Sequence, residues 1–268
     1  MPYQEVKEYY DSLALTYDEK YENPAMNHMR RIESEVIEQY LNNVESIIDI
    51  GCGTGLYALI LGKRGYRVLA MDISDEMIQL AASKAEPVGL ETKITFLQHD
   101  IEKKLGNEEK FDLAISMFGA LNHVESLKKA LQNIGDLLLP GGYLIFTIAN
   151  DLSLHRLGVA RRNHGLTNMI EGKYPKISEF YVREVKKRLW TRYYTRKEVK
   201  ELLKKCHFTV EKVGGIFFLV RPEYHNASHN VSRKQERAMR IERKMKWLFP
   251  VNFLSEYLIF VCKRSDGL

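Results

Sequence analysis

Three glycines spaced two apart, closing a short apolar run at residues 47–55 (IIDIGCGTG), constrain this chain more than any other feature. Ile47, Ile48 and Ile50 are β-branched and read as a strand buried on both faces, the usual state in a parallel sheet with helices on either side. Gly51, Gly53 and Gly55 then allow positive φ and let the backbone press against a ligand with no Cβ in the way. From Leu56 the pattern LYALILGKRG turns helical, so the glycines lie between a strand end and a helix start. Such a junction aims unpaired N–H groups at whatever sits above the sheet.

The spacing discriminates between ligands. A dinucleotide fingerprint needs G-x-G-x-x-G, and here its third glycine position is Leu56. An acidic residue about 20 positions on is present, because Asp72 ends a second apolar run, RVLAMD, and a carboxylate there can accept from both hydroxyls of a ribose. Asp49 precedes the glycines and Asp100 follows a third strand, KITFLQ. A fourth strand reads FDLAISM, ending at Met117, and a PGG turn at 140–142 leads into YLIFTIA. Strands alternating with helices at these lengths require right-handed crossovers in a mostly parallel sheet, with ligands at the strands' carboxyl ends.

These motifs together resemble the class I S-adenosylmethionine-dependent methyltransferases, from about Tyr9 to Asn150 and more loosely from Trp190 to Val220. The resemblance implies an α/β, doubly wound, mostly parallel seven-stranded sheet with an antiparallel last strand, fitted by residues 255–264, plus lid insertions. It implies S-adenosyl-L-methionine as cofactor and S-adenosyl-L-homocysteine as product. The turn carrying Asp49, Gly51, Cys52, Gly53 and Gly55 faces the methionine part, Asp72 with Ile73 holds the ribose, and Asp100 with Ile101 caps the adenine amine. Met77, one turn into the helix that Ser74 caps, lies near the adenine, and Met117 borders the same site.

Around that core the chain divides into N-terminal lid helices (1–45), the cofactor-binding core (46–150), an acceptor-site cap (151–194) and a C-terminal part of the core (195–268) with a basic helical insertion at about 221–252. Tyr9, Tyr10, Leu13, Tyr17 and Tyr21 recur at helical spacing, and an aromatic face attracts a cation, so Tyr9 is assigned to the cofactor and Tyr17 to catalysis. A helix at about 26–42 only packs. Asn122 and His123 follow the fourth strand and either cap the next helix or face the acceptor, where His123 suits a proton acceptor. Residues 151–176 lack periodicity and read as an irregular insertion over the mouth, while SEFYVREV and KRLWTRYY read as a strand pair roofing the acceptor. TRKE at 195–198 opens a helix as a capping box, and HFTVEKV with GIFFLV supplies a sixth strand region.

The long insertion contains SRKQERAMRIERKMKWLF, with Ala238, Ile241, Met245 and Leu248 expected on one packed face among many cations. It covers the fold, or meets an anionic membrane surface or RNA through 233–247. The expected reaction moves the sulfonium methyl group to N or O of a small organic acceptor, with no obligate metal. A tRNA or protein methyltransferase docking through the basic helix and a non-catalytic cofactor-binding regulator are the competing readings. Three widely separated cysteines and a polar N-terminus point to the cytoplasm, and no apolar run approaches membrane-spanning length.

Overall fold

The structure is a computed structural model that describes residues 2–106, 109–170, 175–182, 187–221 and 231–265. Two helices, α1 (Pro2–Lys20) and α2 (Pro24–Glu38), precede the sheet. Strands and helices then alternate through β1 (Ser46–Ile50), α3 (Leu56–Lys63), β2 (Arg67–Asp72), α4 (Asp75–Ala85) and β3 (Ile94–Gln98). β4 (Phe111–Ser116), α5 (Leu127–Leu137) and β5 (Leu138–Ala149) follow. Next come α6 (Leu154–Ile170) and an antiparallel pair, β6 (Ile177–Val182) and β7 (Lys187–Arg192). The chain re-enters the sheet through α7 (Arg196–Lys205) and β8 (Phe208–Ile216), and closes with α8 (Arg233–Met245), the single turn α9 (Val251–Leu254) and β9 (Tyr257–Arg264).

The seven-stranded sheet has the order β3-β2-β1-β4-β5-β9-β8. Neighbours from β3 to β5 are parallel, whereas β9 runs antiparallel to both β5 and β8. β8 therefore points the same way as the first five strands, and the expected architecture is borne out. Successive strand residues face opposite layers. Ile48 and Ile50 join Leu131, Ile134, Val199, Leu203 and Phe146 on the α5/α7 side, while Ile47 joins Met29, Ile32, Val36, Leu61 and Ile145 on the α2/α3 side. Each such buried side chain contributes about 1.5–3 kcal/mol, and both layers use β1, so the glycine turn rises from the best-anchored strand.

Three stretches differ from expectation. Residues 154–170 form a helix broken at Gly165, where φ is +82°, and residues 161–168 are all exposed, so no apolar stripe announced it. The strand in GIFFLV stops at Ile216, and residues 217–220 curl around the Glu242 carboxylate. α8 docks rotated from the apolar pattern: Ala238 packs on the core as expected, but Met239, Glu242 and Lys246 share that side, and Ile241 and Leu248 are exposed. Glu242 accepts from His28 Nε2 and Phe217 N at 2.9 Å, from Phe218 N at 2.9 Å and from Leu219 N at 2.7 Å, and those bonds set the helix's rotation. Residues 171–174 of the first insertion, 183–186 of the strand pair and 222–230 of the basic insertion lie outside the described residues.

Candidate active site

β1 is the strand from which the order runs both ways, to β2 and to β4, and such a switch point leaves a crevice at the carboxyl ends. An open cavity lies there, about 830 Å³ with its share of open solvent included. Gly51, Gly53, Asp72, Ile73 and Met77 line it from the first two βα turns, Asp100 and Ile101 from the end of β3, and Met117 and His123 from the segment after β4. Tyr17 lines it from α1 together with Tyr10, whereas Tyr9 is buried beside Tyr10, edge-on at 5.1 Å, and lies outside the lining. Asp49, Cys52 and Gly55 also lie outside it.

The glycine turn owes its shape to contacts that a side chain would destroy. Gly51 has φ +70°, and a Cβ on it would come within 2.4 Å of the Ala120 Cβ. Gly55 faces Ala81 in the same way, at 2.9 Å. A Cβ on Gly53 would meet no protein atom within 4 Å, so the space it keeps clear belongs to the cavity. Asp72 joins the two turns: its Oδ2 accepts from Gly53 N and its Oδ1 from Ser74 N, each at 2.9 Å. Burial raises its pKa. Asp49 sits beneath the turn with one carboxylate oxygen unpartnered, and burial, then the Asp72 charge, push it up to about 7. The Cys52 thiol, raised by burial, points to Gly53 O at 3.6 Å.

α1 closes over these turns through two carboxylates that sequence reasoning passed over. Asp11 accepts from Ser74 Oγ at 2.6 Å, and Asp18 accepts from Thr54 Oγ1 at 2.6 Å while pairing with Lys84. Lys7 bridges Asp11 and Asp75 at 2.7 and 2.8 Å. The signal was present: Tyr10-Asp11 recurs as Tyr17-Asp18 seven residues on, two helical turns, so each ring entering the cavity is followed by an acid reaching the rim. Burial raises both tyrosine phenols well above their ordinary value.

The segment after β4 is held from below and behind. Phe118 and Gly119 take positive φ, and Phe118 N donates to the buried Glu33 at 3.1 Å. Glu33 also accepts from Tyr57 Oη at 2.6 Å and Thr147 Oγ1 at 2.9 Å, and burial pushes it up to about 7. α2 thus supports the site besides packing. Neither Asn122 nor His123 caps α5, since Ser126 does. Asn122 ties Arg192 O and Ala149 N, and His123 Nδ1 donates to Trp190 O at 2.8 Å. A carbonyl only accepts, so Nδ1 carries the hydrogen and Nε2 keeps its lone pair. Burial lowers the His123 pKa. β7 packs on α1 and on the turn at 120–123, and its described residues stand behind His123 without lining the cavity.

Every charged group on the lining is a carboxylate, Asp72, Asp100 or Glu102, and among the described residues no lysine or arginine joins them. Residues 48–146 match the family described as Methyltransferase domain. An uncharacterized protein of Methanocaldococcus jannaschii is 33% identical over 215 residues, 76% of each chain. A ubiquinone biosynthesis O-methyltransferase of Coxiella burnetii is 32% identical over 120 residues, which span 44% of this chain and 50% of that enzyme. The magnesium protoporphyrin IX methyltransferase of Synechocystis, solved with bound S-adenosylhomocysteine, superposes with a TM-score of 0.60 at 18% identity, covering 99% of this chain and all of that one.

Proposed function

Because the chain belongs to the class I S-adenosylmethionine-dependent methyltransferases, we propose that it methylates a nitrogen or oxygen of a small organic acceptor, with His123 as proton acceptor. One observation supports this reading: the cavity lined by Gly53 and Asp72 is also lined by His123, whose Nδ1 hydrogen is fixed by Trp190 O. The cofactor supplies a methyl group already activated on a sulfonium. The bare backbone at Gly53 and the carboxylate of Asp72 suit its methionine and ribose portions, and Asp100, Ile101, Ile73 and Met77 enclose its adenine end.

His123 is neutral at neutral pH because burial lowers its pKa, so Nε2 can take the proton from an acceptor N–H or O–H. With the cofactor bound by the Gly53 and Asp72 turns, its sulfonium would supply the methyl group, and His123 would hold the proton that the acceptor gives up. Tyr10 and Tyr17 remain protonated and offer hydroxyls and ring faces that exclude water from the approach. A lining that carries carboxylates and no lysine or arginine among the described residues accommodates a cationic cofactor with an uncharged or amine-bearing acceptor, and disfavours a phosphate-rich one. Three free cysteines accord with a reducing compartment, the cytoplasm. Among the described residues no helix is long and apolar enough to cross a membrane.

The test is to incubate metabolite extract with isotope-labelled cofactor and seek a labelled product by mass spectrometry, with tRNA in a parallel tube. A labelled small product is expected, and label in the RNA alone would overturn the acceptor class. His123→Ala should then slow turnover, abolish the acidic limb of the rate–pH profile and spare S-adenosylhomocysteine affinity. An unchanged limb removes His123 from proton transfer.

A further inference from the structure

The outward face of α8 is built unlike the rest of the surface. Arg233, Lys234, Arg237, Arg240 and Lys244 are exposed, with Glu236 the exposed acid of the helix. At 3.6 residues per turn, Arg233, Arg237, Arg240 and Lys244 fall on one stripe, with Ile241 and then Leu248 beside it. Ile241 is 38% exposed, Leu248 55% and Phe249 76%, although these are residues that normally gain from burial. Among the described residues the stripe cations make no ion pair, whereas the inward Arg243 and Lys246 both reach Glu35.

The face is held outward. Glu242, fully buried on the opposite side, grips the N–H groups of residues 217–220 and His28, so the helix cannot roll its apolar edge into the core. α8 follows the end of β8 and leads through α9 into β9, and its inner side packs on the α2/α3 layer and reaches Glu35, so its outward face looks away from that layer.

We propose that this face docks on an anionic lipid surface, its cations among the head groups and Leu248 with Phe249 in the acyl boundary. Charge complementarity calls for an anionic partner, and the exposed apolar pair beside the cations selects lipid over nucleic acid. Phosphate contacts need the cations alone, whereas an interfacial helix combines cations with bulky apolar tips. The proposal stands independently of the acceptor and of the role of His123.

Co-sedimentation of the full chain with vesicles of phosphatidylcholine alone, and of phosphatidylcholine with phosphatidylglycerol, tests it. Binding should require the anionic lipid and weaken with added salt. Replacing three cations together, Arg237→Gln, Arg240→Gln and Lys244→Gln, should lower partitioning on the order of a hundredfold, at about 1 kcal/mol per cation near the surface. Phe249→Ser should lower it severalfold while leaving the salt dependence in place. Unchanged urea midpoints and S-adenosylhomocysteine affinity show that these variants fold. Equal binding to neutral vesicles, full binding by the triple variant, or failure to bind anionic vesicles while a single-stranded RNA binds in a salt-sensitive manner would each overturn it.

Discussion

The first helix and the basic helix α8 both lie outside the alternating βα pattern, both are amphipathic, and they use charge in opposite directions. α1 sends Asp11 and Asp18 to the rims of the first two βα turns and Tyr10 and Tyr17 into the cavity. α8 sends one carboxylate, Glu242, into the core and leaves its cations in solvent. Rim contacts through partly exposed carboxylates are individually weak, whereas a buried carboxylate bonded to His28 and a row of backbone N–H groups is a firm anchor. One helix is tied to the cavity rim by partly exposed carboxylates, and the other is fixed to the core by a buried one.

The sharpest way to break this contrast is Glu242→Ala, which strands His28 and the N–H groups of 217–220 and should cost about 3–5 kcal/mol of stability by urea unfolding. Cofactor affinity of the folded fraction should barely change, and a variant as stable as the parent would mean α8 is loosely laid on. Asp72→Ala should weaken S-adenosylhomocysteine binding more than tenfold by calorimetry, the loss of charge-assisted bonds of roughly 1.5–3 kcal/mol. Asp18→Ala removes the bond to Thr54 and the pair with Lys84, so it should weaken the same binding only a fewfold while leaving the unfolding midpoint nearly fixed. A midpoint loss as large as that of Glu242→Ala would erase the difference between clasp and anchor.

The smallest effect is in pH. Burial would raise Glu242, but His28 and the N–H groups of Leu219 and Phe217 hold it below its ordinary value, so its contribution is present above about pH 4.5 and lost as pH falls. Glu33, raised from 4.5 to about 7, has the opposite sign: its contribution is complete below about pH 4.5 and lost as pH rises through 7. Glu33→Gln should therefore flatten the decline in melting temperature on the approach to neutrality and leave the acid limb unaltered. A decline that persists in full would move its origin to Asp49.

The sheet was legible because strand, glycine turn and helix follow one another within a few residues, and burial on both faces leaves mostly apolar runs in β1, β4 and β5. The lining contributed by those junctions was legible for the same reason. What escaped was set by long-range pairing. Ser126, three residues beyond His123, takes the cap, and the Trp190 carbonyl that orients His123 arrives from 67 residues away. The face of α8 misled because apolar spacing presumes an oily interior, and here the inward position is a carboxylate. Asp11 and Asp18 were hidden behind the tyrosines they accompany, since a helical wheel scores the rings and discounts the acids.

The hydrogen on His123 Nδ1 is dictated by a strand outside the main sheet. A change in β6 or β7 that shifted the Trp190 oxygen would alter the imidazole's tautomer and basicity, although neither strand's described residues line the cavity. Basicity at the site is thus set from outside it, so swapping this strand pair between homologues should move a pH optimum while the described cavity lining stays as it is.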